Sequence, residues 1–529
     1  MASLARSLGA GRPPLALWLP ALALAAFCLL PPLYLVLRAA EAPRDALAAV
    51  ATRPTFTLLA RSLALAAVTT ALALALALPL AWLTTRTNLP ARRVLAVLVA
   101  LPLAIPSYVA ALVAVSALGP RGLLQQALER WGVERLPSIY GLWGTAAVLA
   151  LATYPYIVLT LRPALLALDP RLDELSRGFG HGRLHTLRRV TLPQLRPAIA
   201  SGSLLVALYA LADFGAPSLM RFDSFTRVIF VRYQSSFERT EAAALALLLG
   251  TLALALVAAE LATRGRTRYD SAHGARRPQS PANLGRWRWP AFTAVLAVLA
   301  VALVLPLAVL GYWLTRGVAD HQAASGLAHA LRGSLAGAGA AAFVAALAAL
   351  PVALLAARYP RFPLARPIEL LTYTGAALPG LVVALALVFA AIRVGPLYQS
   401  FTLLVLAYVL LYLPQAVGAT RIALLQIGPS LEEAARGLGR GPLAVLRTIT
   451  APLAARGLLA GAALVLLAAL KELPATLLLS PAGFDTLAVR VWSASAEAFY
   501  ARAALPALLL VALSALPVAA SQVGRRHGR

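Results

Sequence analysis

The chain has 529 residues, of which 60% are hydrophobic and 13% charged, with 47 Lys and Arg against 20 Asp and Glu for a net charge of +27. A soluble domain carries about a quarter charged residues, so this composition excludes an ordinary soluble globular protein. Cys28 is the single cysteine, which excludes disulfides, thiolate clusters and haem attachment through paired cysteines.

Apolar runs of roughly 20 residues, long enough to cross a ~30 Å hydrocarbon core, recur along the chain. In order they predict spans near 15–37, 58–83, 94–118, 139–166, 196–216 and 241–262, then 290–314, 333–357, 368–392, 398–425, 455–479 and 503–523. The fold class is therefore all-α, a polytopic membrane protein of about twelve transmembrane helices. The run at 15–37 is too long for a signal-peptide core and is read as a span. Pro79, Pro102, Pro106, Pro155, Pro351, Pro379 and Pro414 fall inside spans, where neighbouring helices can re-satisfy the freed backbone groups.

The positive charge could suggest nucleic acid, but its distribution argues for topology instead. With the N-terminus in the cytoplasm, the cytoplasmic loops and tails hold most of the Arg. The stretch 263–289 alone carries Arg264, Arg266, Arg268, Arg276, Arg277, Arg286 and Arg288. That bias orients the spans with both termini inside, and no nucleic-acid partner is expected. Lys471 is the only lysine; a P-loop requires one before Ser or Thr, and Lys471 follows Leu470 at the end of an apolar run. No ATP site is expected in this chain, and no bound cofactor.

A polar block between apolar stretches occurs twice. Asp173-Glu174-Leu175-Ser176-Arg177-Gly178-Phe179-Gly180, running to Pro193, returns as Glu432-Glu433-Ala434-Ala435-Arg436-Gly437-Leu438-Gly439, running to Pro452. At a constant offset of 259 residues, 153–193 and 412–452 share 18 identities in 41 positions without a gap. Outside the block, Ser62 to Pro79 matches Ser334 to Pro351, Ile105-Pro106 is echoed by Leu378-Pro379, and Phe225 by Phe484. The chain thus reads as a first half at 1–262, a basic cytoplasmic linker at 263–289 and a second half at 290–529. Six spans per half keep both copies in the same orientation, as in parallel repeats about an axis along the membrane normal.

Within each block, a helix break at Asp169-Pro170 or Gly428-Pro429 precedes a new helix whose first turn holds Glu174 or Glu433, where the dipole favours negative charge. Gly178 and Gly180, like Gly437 and Gly439, permit a tight reversal or close approach of another backbone. One copy alone would read as an ordinary amphipathic loop at the lipid headgroups. Two copies with preserved Glu, Gly, Gly and Pro spacing point to two equivalent docking points for a soluble partner.

Glu433, Ala434, Ala435, Gly439, Ile449 and Pro452 fit the EAA loop of ABC importer permeases, with Ala451 in place of the usual Leu. Glu174, Gly180, Leu192 and Pro193 fit it in the first half, where Leu175, Ser176 and Val190 depart from it. The whole chain further resembles the fused two-half iron(III) permeases, through Asp213-Phe214-Gly215-Ala216-Pro217 with Phe225-Thr226-Arg227, and Lys471-Glu472-Leu473-Pro474-Ala475 with Phe484-Asp485-Thr486. The resemblance implies a type I importer-like fold in the bacterial inner membrane. It implies that 169–193 and 428–452 dock two copies of a separate ATP-binding subunit, which uses the ATP. It also implies an extracytoplasmic binding protein that delivers iron(III). Related fused permeases carry thiamine, which remains an alternative cargo along with other small solutes.

Asp213 and Glu472 align at the same offset near the outer ends of the fifth and eleventh spans, beside Lys471. Ionisable groups in spans are costly unless paired or wet. Either these acids line the outer mouth of a pathway, or they sit in interfacial water with Lys471 neutralising one of them. His181 and His185 stand four apart, but in the coupling loop, and read as solvated rather than metal-binding. A twelve-span secondary transporter shares the two-half architecture, though its acids would lie deeper. A membrane-embedded enzyme would lack any visible catalytic cluster here.

Overall fold

The computed structural model describes residues 13–168, 175–176, 178–235, 239–263, 281–319, 326–427 and 429–523. Most of the linker and part of the first docking block, including Glu174, lie outside them. Among the described residues, eleven helical stretches are long and apolar enough to cross a membrane, and a shorter apolar helix accompanies them. Helix is forced here, because hydrocarbon offers backbone N–H and C=O groups no partner except the chain itself.

We label the main helices α1 (Leu15–Glu41), α2 (Arg53–Arg86), α3 (Ser107–Leu118), α4 (Leu142–Ala167), α5 (Leu192–Ala212), α6 (Arg239–Thr263), α7 (Arg288–Leu299), α8 (Leu305–Ala319), α9 (Leu327–Arg358), α10 (Gly380–Val394), α11 (Phe401–Gln426), α12 (Ala451–Leu470) and α13 (Tyr500–Val523). A single π turn, Ala300–Val304, joins α7 to α8, so the seventh span is one continuous crossing.

The third and ninth spans correct the sequence expectation. Instead of unbroken helices over 94–118 and 368–392, each arrives in pieces: Arg92–Leu98, the 3₁₀ turn Leu101–Ala104 and α3; then Ala365–Thr372, Thr374–Ala377 and α10. The breaks fall at Pro106 and Pro379. A proline disfavours the α region for the residue before it, and Ile105 (φ −84°, ψ 115°) and Leu378 (φ −90°, ψ 139°) are extended. Pro79, Pro155, Pro351 and Pro414 stay inside continuous helices.

The compact units of the fold do not follow the order of the chain. One unit comprises Met1–Thr52, Ile229–Gly250 and Ala324–Arg490; the other comprises Arg53–Val228, Thr251–Ala323 and Val491–Arg529. In the first, α1 packs on α9 and α10: Tyr34 Oη donates to the Phe389 carbonyl at 2.9 Å, Thr374 Oγ1 to the Cys28 carbonyl at 3.1 Å, and Arg393 pairs with Glu41. In the second, Val295, Leu299 and Ala302 join the core built from α2 and α4, and α8 packs on α13. The opening helix of each sequence half is thus built into the unit that holds the middle of the other half.

Small residues let helices approach closely where hydrocarbon supplies no hydrophobic drive. A Cβ on Gly202 of α5 would lie 2.9 Å from the Ile157 Cα of α4, and one on Gly461 of α12 would lie 2.9 Å from the Ala416 Cα of α11. These contacts are 259 residues apart on both partners and extend the repeat into the core.

Candidate coupling and pathway sites

The second docking block opens with the helix Pro429–Gly437, which carries Glu433, Ala434 and Ala435. It ends in a Schellman turn: the Leu438 N–H donates to the Ala434 carbonyl and the Arg440 N–H to the Ala435 carbonyl, both at 3.1 Å, with Gly439 at φ +81°. The first block repeats this arrangement. Phe179 N–H donates to Leu175 O at 3.1 Å, His181 N–H to Ser176 O at 3.2 Å, and Gly180 stands at φ +80°. That backbone conformation is what requires glycine there. At Gly178 and Gly437 a Cβ would meet nothing within 4 Å, so these two leave an open face rather than a packed one.

Ahead of each left-handed glycine stands a large apolar side chain in solvent: Phe179 is 80% and Leu438 84% exposed. Beneath the first, Ser176 and Thr186 share a hydrogen bond of 2.9 Å. Beneath the second, the equivalent Ala435 and Val445 are buried. One copy closes the turn with hydroxyls and the other with methyl groups. Leu187–Thr191 and Leu446–Thr450 are each a single π turn leading into α5 and α12. The cause is Pro193 and Pro452, which stand at the second helical position; a proline ring clashes with the carbonyl four residues earlier, and widening the turn relieves it.

The span preceding each docking block is anchored at its end. Arg162 donates to the Ala96 carbonyl at 3.3 Å, whereas Arg421 pairs with Glu369 at 3.2 Å. Arg358 donates to the carbonyl of Ile427, just before the second block, at 3.3 Å. His181 and His185 stack with ring centroids 4.2 Å apart, and no group of three or more potential metal ligands occurs among the described residues.

Asp213 and Glu472 occupy equivalent places, and both act as clasps. Each follows the last turn of α5 or α12 and caps a short helix: Asp213 Oδ2 accepts from the Ala216 N–H at 2.9 Å, and Glu472 Oε1 from the Ala475 N–H at 3.1 Å. The second carboxylate oxygen reaches a neighbouring span, accepting from Ser107 Oγ at the start of α3 in one case and from Tyr412 Oη of α11 in the other. Thr226 Oγ1 and Thr476 Oγ1 donate to the Asp213 and Glu472 carbonyls, both at 2.7 Å. Lys471 is half-buried at the end of α12, its N–H on the Ala468 carbonyl at 3.2 Å. The sequence reading missed Ser107, Tyr412 and Gly380. The first and last begin the broken helices α3 and α10, and no sequence signal marks them, since Pro155 and Pro414 are echoed in the same way inside unbroken helices.

The repeat beyond these acids also needs correcting. Ser62 Oγ accepts from the Phe225 N–H at 3.0 Å, and Ser334 Oγ from the Leu487 N–H at 2.8 Å. The structural counterpart of Phe225 is therefore Leu487, not Phe484. Ser224 and Thr486 cap the helices that follow, accepting from Arg227 N–H at 3.3 Å and Val489 N–H at 3.2 Å. A longer turn after Glu472 accounts for the shift in register.

Residues 71–320 and 349–524 match the family of binding-protein-dependent transport system inner membrane components. The chain belongs to this family. It is the permease subunit of an ABC importer, a multi-pass membrane protein, and the secondary-transporter alternative falls. Over 381 residues the permease is 36% identical to the Fe(3+)-transport system permease protein FbpB 2 of Haemophilus influenzae, covering 71% of this chain and 75% of that protein. It is 32% identical over 173 residues to the sulfate transport system permease protein CysT of Salmonella typhimurium, covering 32% and 61%. With the sulfate transport system permease protein CysW of Escherichia coli it shares 34% identity over 142 residues, covering 27% and 47%. Membership implies an ATP-binding subunit and a binding protein as partners.

Proposed function

We propose that this permease translocates iron(III), handed over by an extracytoplasmic binding protein and driven by two copies of a separate ATP-binding subunit. The observation that carries the coupling is the repeated Schellman-capped turn, which presents Phe179 and Leu438 to solvent in equivalent positions. The cargo reading rests on the 36% identity to an Fe(3+) permease across most of both chains.

In this reading 1–262 and 290–529 are two permease halves joined by the linker 263–289, with both termini in the cytoplasm. Glu174, Gly178, Gly180, Pro193, Glu433, Ala434, Ala435, Gly437, Gly439 and Pro452 form the coupling elements. ATP binding draws the two docked subunits together, the π turns at Leu187–Thr191 and Leu446–Thr450 pass the movement to α5 and α12, and the pathway opens outward. The permease has no ATPase site of its own. Asp213 and Glu472, with Lys471 beside Glu472, hold the outer end of the pathway, Asp213 by its bond to the start of α3 and Glu472 by its bond to α11.

The test is uptake of radiolabelled iron(III) into proteoliposomes containing the permease, its ATPase and its binding protein, with thiamine as competitor. ATP-dependent uptake insensitive to thiamine is expected. Replacing both Phe179 and Leu438 by Ser should abolish that uptake while the permease stays inserted. Thiamine uptake instead would overturn the cargo, and full uptake by the double variant would overturn the docking role.

A further inference from the structure

A groove beside α8 belongs neither to the coupling elements nor to the clasps. Its cavity of about 530 Å³ is lined by Leu123, Gln126 and Ala127 of the short helix Leu123–Leu128 and by Ala308, Val309 and Tyr312 of α8. Both walls lie in the same compact unit. The polar exception, Gln126, donates its side-chain amide to the Arg121 carbonyl of its own loop at 2.9 Å.

The face of α8 that lines the groove continues beyond it at both ends, on one side into the π turn that ends at Val304. Val304, Ala308, Tyr312 and Arg316 stand four apart and so share one side of the helix, and all four are exposed. At the far end the Arg316 guanidinium lies 5.2 Å above the Tyr312 ring. Trp313 packs edge-on to Tyr312 at 5.4 Å and against Tyr500 at 5.3 Å. Aromatic side chains of this kind gather where hydrocarbon meets headgroups. The stripe therefore passes from aliphatic to aromatic to cationic, the sequence of environments along a phospholipid.

We propose that this groove seats an acyl chain of an anionic phospholipid whose phosphate rests on Arg316. An apolar groove in a span fills with lipid tails of any kind; the guanidinium at its end selects the headgroup. Arginine suits that task because its planar fork of donors matches phosphate oxygens.

The test uses the purified full-length permease in detergent, with native mass spectrometry of retained 1-palmitoyl-2-oleoyl-phosphatidylglycerol against the phosphatidylcholine of the same chains. Wild type should retain one phosphatidylglycerol more persistently than phosphatidylcholine. Arg316→Gln should remove that preference, and Ala308→Trp, which fills the groove, should remove the retained lipid of either type. Equal retention of the two lipids by wild type would overturn the proposal, as would unchanged retention of phosphatidylglycerol in both variants. Displacement of the lipid by millimolar inorganic phosphate alone would make Arg316 a free-phosphate site and overturn the lipid reading.

Discussion

The clasps around Asp213 and Glu472 do the same work with different parts. In one, a short acid meets a serine at the start of α3; in the other, a longer acid faces Gly380 at the start of α10 and turns its second oxygen to Tyr412. The glycine is what makes the longer acid possible, since a Cβ on Gly380 would lie 2.7 Å from Glu472 Oε1. One methylene added on one helix is offset by a side chain removed from the other. Side-chain volume, more than residue identity, is thus what the repeat conserves between its copies. The docking turns show the same exchange, with Ser176 and Thr186 in one copy replaced by Ala435 and Val445 in the other.

The largest effect should come from removing a clasp outright. Glu472→Ala removes the acceptor of the buried Ala475 N–H, at about 1–3 kcal/mol, and the bond to the half-buried Tyr412 hydroxyl, and Asp213→Ala does the same to the buried Ala216 N–H and Ser107 hydroxyl. Thermal unfolding in detergent should show a clear loss for both. Asp213→Asn keeps an acceptor of the same shape without the charge. Its uptake should stay near wild type if the residue only clasps, and fall if the pathway needs the negative charge itself.

Overpacking comes next. Gly380→Ser should cost about 1–3 kcal/mol, and Glu472→Asp in the same chain should recover much of it by reproducing the other clasp. Failure of the double variant to regain stability over Gly380→Ser would break the volume argument. A smaller stability loss of about 1–2 kcal/mol, set by the left-handed backbone, is expected from Gly180→Val or Gly439→Val. Those two variants should lose coupled uptake in proteoliposomes well beyond what their melting temperatures suggest.

The smallest effect should come from Ser176→Ala with Thr186→Val, which converts the first docking turn into the second. Replacing both hydrogen-bond partners by apolar groups of similar shape is close to neutral, so melting temperature and uptake should hardly move. A marked loss would show that the two turns are not interchangeable.

Much of this was legible in the chain. Most of the spans, the duplicated blocks with their paired glycines and the paired acids follow from local patterns of hydrophobic runs and fixed spacing; which glycine of each pair takes the left-handed conformation, 180 and 439, is decided by the structure. Other features were not. The breaks at Pro106 and Pro379 look, in sequence, no different from the unbroken helices at Pro155 and Pro414. Whether a proline kinks a span or ends it depends on what its neighbours offer the freed carbonyls. Ser107 and Gly380 show no pattern until the acids they meet are known, and the register shift that pairs Phe225 with Leu487 lies in a turn where few residues match.

The sequence by itself determined that the chain crosses a membrane many times, that it repeats, and where its two duplicated polar blocks lie, because each of these is written in short-range periodicity and fixed spacing. Only the tertiary structure decided that the opening helix of each half is built into the unit holding the middle of the other, and that Asp213 clasps the start of α3 and Glu472 clasps α11. Those outcomes depend on contacts between residues 60 to 355 positions apart. In hydrocarbon an apolar helix finds much the same hydrophobic environment against lipid as against any other helix, so its place is settled by shape and by a few polar pairs. Tyr34 on Phe389 and Tyr412 on Glu472 are such pairs.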